Sequence, residues 1–134
     1  MKRIIALVLA LVTIFTLTVS AQAAQKPTVD LLWDNTDSIA TNFDFNGSDS
    51  YARASIIGKE GTSQIEATLT VYRKMDNGAM VYIGESTKTV YTDACSISVK
   101  FTALSGGTYK SILVVKVTKN GVTESIQRAT WGTN

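Results

Sequence analysis

The sequence predicts an all-β domain, a single antiparallel β-sandwich of about seven strands. Three observations predict it. Apolar and polar residues alternate with a period of two in several segments between residues 51 and 131. Two Asn-Gly pairs, Asn77-Gly78 and Asn120-Gly121, stand between such segments, and that pair is the strongest short-range hairpin signal. No apolar stripe of helical period occurs after residue 23, and Pro27 is the one proline in the chain. An eight-stranded barrel is the alternative closure of the same pattern.

The elements follow in order. Met1-Lys2-Arg3 precedes an uncharged run from Ile4 to Val19, and Ala21-Gln22-Ala23 supplies a small-x-small pattern. This is the layout of a helical signal peptide over residues 1–23, with cleavage after Ala23 and a second acceptable site at Val19-Ser20-Ala21. The apolar run is shorter than the ~20 residues a spanning helix needs. No cysteine follows it to carry a lipid, and no apolar or basic tail closes the chain. The expected localisation is therefore secreted and extracellular, with no stable membrane anchor after cleavage.

Residues 24–50 read as an acidic N-terminal segment, partly loop. From Gln25 to Ser50, Lys26 is the one base against Asp30, Asp34, Asp37, Asp44 and Asp49. This is the pattern of a solvated loop region, or of a segment that folds back on a basic sheet or collects a cation. The strands are expected over residues 51–134, within one domain spanning 24–134. A strand at Thr28 to Trp33 is a further candidate. Tyr51 to Ile57 reads as a strand. Ile65, Ala67, Leu69 and Val71 alternate with Glu66, Thr68, Thr70 and Tyr72, a half-buried strand with the aliphatics inward. Gly78 turns the chain into a return strand, Ala79 to Gly84, and Thr87 to Tyr91 reads as a separate edge strand. Cys95, Ile97, Val99 and Phe101 alternate with Ser96, Ser98 and Lys100. Tyr109 to Thr118 is apolar on both faces from Ile112 to Val115, which predicts a central strand covered on both sides. Gly121 then turns the chain into a last strand, Val122 to Trp131.

The stretch from Leu104 through Ser105-Gly106-Gly107-Thr108-Tyr109 to Asn120-Gly121 and Ser125 resembles the end of a fibronectin type III or related immunoglobulin-like domain. There a Leu, a Gly-Thr turn and a Tyr open the penultimate strand, and a Gly-bearing hairpin leads to the last. The resemblance covers about twenty residues and lacks the usual proline before the turn glycine. It implies that Tyr109 is a corner tyrosine whose ring packs on the core and whose hydroxyl bonds to an upstream carbonyl. Trp33 is a candidate for the early-strand tryptophan. The whole chain also resembles small secreted bacterial proteins. The resemblance implies a binding or structural module, although a fold does not establish a function.

Composition excludes more than it assigns. The chain has 13 basic and 11 acidic residues, but Lys2 and Arg3 belong to the signal, so residues 24–134 carry a formal charge of zero. The basic excess that draws a protein to nucleic acid is missing. The positive mean hydropathy is likewise inflated by residues 4–19. One cysteine cannot build an intrachain disulfide framework, so packing must hold the domain together. The chain has no histidine, which removes Ser-His-Asp and Cys-His catalysis and the usual zinc sites. It has no GxSxG, P-loop or GxGxxG motif. The expectation is a non-enzyme. The surviving route to catalysis is a carboxylate-dependent glycoside hydrolase using two of Glu60, Glu66 and Glu85 at ~5–9 Å. A Ser-Lys dyad is conceivable, but no serine stands out.

Candidate functional residues are few. Tyr72 and Tyr82 lie on strands joined by the Gly78 turn and, in the right register, form an exposed aromatic patch for sugars or proteins. The same pair can simply stabilise the sheet. Asp44, Asn46 and Asp49 surround Gly47 with oxygen ligands that suit calcium, the one metal entertained, though the glycine is not at the EF-hand position. Asp and Asn are also ordinary turn formers. Asn46-Gly47-Ser48 is formally a glycosylation sequon. Cys95 shares a face with Ile97, Val99 and Phe101 and reads as a buried small hydrophobe. Trp131 reads as packed on the sheet. No cofactor is expected. The leading expectation is a non-catalytic recognition module for a cell-surface or wall polymer or an extracellular protein. A membrane-acting toxin is the alternative, against which no lipid-facing band of ~10 residues flanked by aromatics is evident. An edge-to-edge homodimer is a further expectation the sequence leaves open.

Overall fold

A computed structural model describes residues Trp33–Asn134. Seven strands form there: β1 Thr36–Asp44, β2 Ser50–Gly58, β3 Thr62–Lys74, β4 Met80–Val90, β5 Ala94–Phe101, β6 Thr108–Lys119 and β7 Val122–Thr133. They make two wholly antiparallel sheets, one in the order β1-β2-β5 and one in the order β4-β3-β6-β7. The chain changes sheets between β2 and β3, between β4 and β5, and again between β5 and β6. The result is an immunoglobulin-like β-sandwich with two open sheets, not the closed barrel.

Period-two alternation places the core. β2 turns Ala52, Ala54 and Ile56 inward, and β5 turns in Cys95, Ile97, Val99 and Phe101. Facing them are Ile65, Ala67, Leu69 and Val71 of β3 and Tyr109, Leu113, Val115 and Val117 of β6. Each fully buried Ile, Leu or Val stabilises the sandwich by roughly 1.5–3 kcal/mol, without help from any disulfide. One end is closed by aromatics. Phe43 stacks on Phe45, and both approach Phe101 and Tyr109 with ring centroids 5.7–6.5 Å apart. Gly132 of β7 leaves room for them, since a Cβ there would stand 2.7 Å from a Phe43 ring carbon.

The structure differs from the sequence reading in three ways. The acidic segment supplies a strand, β1, because Ile39 and Phe43 give it an apolar side, so the sandwich begins before Tyr51. The return strand and the separate edge strand are one strand, β4. A bulge at Ile83 between the pairs Tyr72–Tyr82 and Val71–Gly84 shifts the alternation and disguised the continuity. β6 is central, between β3 and β7, but it is not covered on both faces: Val114 is 37% exposed. The signal peptide at 1–23 and the candidate strand Thr28 to Trp33, up to Leu32, lie outside the described residues.

The edges are tied across the sandwich by polar side chains. Arg128 stands opposite buried Leu113, so it starts from the core side of β7 and donates to the Ile39 carbonyl on β1 at 2.8 Å. Glu124 accepts from the amides of Asp34 and Asn35 and from the Thr36 hydroxyl. Buried Asn35 in turn donates to the carbonyls of Val117 and Val122. On the far edge Lys88, opposite buried Ala67, donates to the Ser96 carbonyl of β5 at 3.0 Å. Inward-pointing charges of this kind also discourage an edge strand from pairing with another chain.

Candidate binding face

The outer face of the four-stranded sheet is assembled by register. Tyr72 of β3 pairs with Tyr82 of β4 on one side and with Lys110 of β6 on the other. Lys110 pairs with Trp131 of β7. Tyr82, Tyr72, Lys110 and Trp131 therefore form one row across all four strands, about 14 Å long at the usual interstrand spacing. The two tyrosines meet edge to face with centroids 6.2 Å apart. The Lys110 ammonium lies 5.2 Å from the Trp131 ring centroid, within cation–π range. Tyr82 is 58% exposed and Trp131 52%. Lys74, Met80, Thr108 and Thr133 form the next row toward the sheet end.

Away from this row the same face is mostly Thr, Glu and Lys, with Ile112 and Val114 of β6 among them. Thr68 and Thr87 face each other across β3 and β4, with Val114 beside them. Glu66, Thr89 and Lys116 complete a shallow groove of about 240 Å³ with them. The second sheet's outer face has a groove of about 330 Å³ because Ala40, Ser55, Ser96 and Ser98 are small. Its ring is Tyr51, on which the Arg53 guanidinium stacks at 4.4 Å. Neither outer face carries a continuous apolar band.

The anticipated tyrosine pair thus exists, and the two residues beside it were missed. Trp131 is not packed away on the sheet. The two-residue turn at Asn120-Gly121 pairs Lys119 with Val122, and counting outward from it sets Trp131 against Lys110. Both Asn120 and Gly121 have positive φ, 51° and 74°, as that turn type requires. The Asn77-Gly78 turn is different. The Gly78 amide donates to the Met75 carbonyl and the Met75 amide to the Ala79 carbonyl, so the loop has three residues with Gly78 alone at positive φ.

The remaining candidates are dispersed. Asp44 faces Arg53 at 4.0 Å and Asp49 faces Lys100 at 2.6 Å, so each carboxylate already has a cation. The Asp49 contact holds Lys100 protonated above its usual range. The backbone N–H of Asn46 donates to the Ser50 hydroxyl, and its backbone carbonyl accepts from the Asp49 N–H. Among the described residues no three His, Cys, Asp or Glu side chains come together as metal ligands. Glu66 pairs with Thr89 and Glu85 with Thr70, four positions apart along the ladder. That spaces the glutamate Cα atoms by roughly 14 Å. Gln64 and Thr70 hydrogen-bond the two carboxylates. Tyr109 is fully buried, and its hydroxyl accepts the Leu104 amide at 2.7 Å rather than bonding a carbonyl. Cys95 is buried with a free thiol, pushed up by burial against a smaller opposing effect of Lys88.

No family model matches the chain, and no curated protein matches it. Among solved structures it is similar to a Bacteroides uniformis beta-glucuronidase, at 12% identity and a TM-score of 0.48, over 73% of this chain and 13% of that one. An Arabidopsis thaliana protein solved in solution is 12% identical with a TM-score of 0.40, over 83% of this chain and 89% of that one. The chicken interferon gamma receptor alpha chain is 14% identical with a TM-score of 0.37, over 69% and 49%.

Proposed function

We propose that the protein is a secreted, non-catalytic module of fibronectin type III-like architecture that recognises an extracellular surface or wall ligand. The observation that carries this reading is the row Tyr82–Tyr72–Lys110–Trp131 on the outer face of the four-stranded sheet. A large ring left half in water contributes little to folding that a smaller side chain would not, whereas it offers a rigid stacking surface to a ligand. Secretion rests on the signal-peptide layout of residues 1–23.

The test is sedimentation of the purified protein with isolated cell wall, with intact cells and with a protein-only control resin. The Tyr72→Ala/Tyr82→Ala double variant and Trp131→Ala run alongside. Saturable binding to wall or cells, lost in both variants with thermal stability nearly unchanged, is the expected result. Variants that bind as well as the parent would remove the function from this face. Protein left wholly in the supernatant would turn the search to soluble partners.

A further inference from the structure

We infer that the ligand of this row is an anionic glycan, a polysaccharide bearing a carboxylate or sulfate on its sugar rings. The inference rests on the binding-face reading above and deepens it. Charge on this face is not evenly placed. Lys110 stands within the aromatic row and Lys74 stands one row beyond Tyr72, toward the sheet end. Neither takes part in an ion pair among the described residues, whose pairs are Arg53–Asp44 and Lys100–Asp49. The acids on the strands of this face lie on the other side of the row, and Asp76, in the loop after β3, is the acid at the near end. Glu85 pairs across from Thr70 and is hydrogen-bonded by it at 2.9 Å, and Glu66 lies further along and is bonded by Gln64 at 2.7 Å. The end of the sheet nearer Thr108 and Thr133 is thus cationic and aromatic.

Such a strip alternates the two things an acidic sugar offers. The apolar face of a sugar ring stacks on an aromatic ring, and its anionic substituent meets an ammonium. Lys110 is flanked by Tyr72 and Trp131 and is positioned over Trp131, so its charge is held at the strip with part of its rotamer entropy already lost. The Thr108 and Thr133 hydroxyls, 3.4 Å apart across β6 and β7, are available to sugar hydroxyls. A neutral glycan would use the rings and leave both ammonium groups without a partner. A flat row across four strands also suits an extended chain better than a globular partner, which would need a larger apolar centre.

Affinity electrophoresis and calorimetry with the purified protein test this. The acidic polymers are polygalacturonate, hyaluronan and dextran sulfate, and the neutral counterparts are carboxyl-reduced polygalacturonate and dextran. Expected is binding to at least one acidic polymer and at least ten-fold weaker binding to its neutral counterpart, with affinity falling as salt rises. The carboxylated and sulfated arms separate the two sources of charge. Lys110→Gln should weaken binding roughly ten-fold, the loss of one charge-assisted contact, without moving Tm. Equal binding to acidic and neutral polymers, lost in Trp131→Ala, would overturn the anionic assignment and leave the face intact. Acidic-polymer binding untouched by Lys110→Gln, Lys74→Gln and Trp131→Ala would place the anion elsewhere and overturn both readings. No binding to any polymer would overturn the glycan assignment, with the sedimentation assay then deciding the face.

Discussion

Cys95 and Tyr109 show how much a single side chain's surroundings decide. Alternation alone sends Cys95 inward with Ile97 and Val99, and it is 3% exposed. Burial disfavours the thiolate, so the folded protein keeps the thiol protonated to higher pH than the unfolded chain does. The unfolded state then binds fewer protons above the ordinary thiol range, and stability falls as pH rises. Between about pH 8.5 and pH 10 the parent should lose more thermal stability than Cys95→Ala does. Equal losses would show that the thiol does not report on folding. Tyr109 was legible as a buried corner residue, but its partner was not. The hydroxyl meets the Leu104 amide because the Leu104–Gly107 turn, closed by the Gly107 amide on the Leu104 carbonyl, aims that N–H at the ring. Turn geometry at that level is not encoded in residue types.

At the scale of elements, the two Asn-Gly hairpins were equally visible and fold differently. Asn120-Gly121 needs positive φ at both positions, and β6 and β7 then pair without interruption from Lys119–Val122 to Thr108–Thr133. Asn77-Gly78 closes a three-residue loop, and β4 adds a bulge at Ile83. Both Gly121 and Gly78 have open space where a Cβ would stand, so alanine would cost backbone strain without a clash. Each substitution should destabilise by about 1 kcal/mol. Gly121→Ala carries a second consequence, because that turn sets the register joining Lys110 to Trp131. We expect Gly121→Ala to weaken ligand binding while Gly78→Ala leaves it closer to the parent, measured side by side with urea unfolding. The reverse order would mean that the Tyr72–Tyr82 half dominates the face. The register needed to see Lys110 beside Trp131 was countable from the turn, whereas the bulge that turns Ile83 and Gly84 toward the same side was not.

For the whole molecule, the strands of one core come from distant parts of the chain, and this is why the acidic segment was misread. Asp30, Asp34, Asp37, Asp44 and Asp49 made residues 24–50 look like a solvated loop, and the apolar spacing of Ile39 and Phe43 was too sparse to stand out. Beyond its pairing to the next strand, β2, what holds β1 in place is remote: Arg128, Glu124 and Thr130 reach it from β7 at the other end of the sequence. With those ties and a single core cluster, neither sheet has a hydrophobic interior of its own. Unfolding should therefore be one cooperative transition for the two sheets together. The two tryptophans allow a direct test. Trp33 packs partly buried against the core beside β1, and its carbonyl accepts the Lys59 ammonium. Trp131 sits on the outside of the other sheet. In urea, Trp131→Phe leaves Trp33 as the fluorescent reporter and Trp33→Phe leaves Trp131. In each variant, fluorescence and far-UV circular dichroism should give the same midpoint. With one buried cysteine and no cross-link, a reductant should move neither. An earlier Trp33 transition would mean that β1 detaches before the rest, and that the polar seam to β7 is weaker than its hydrogen bonds suggest.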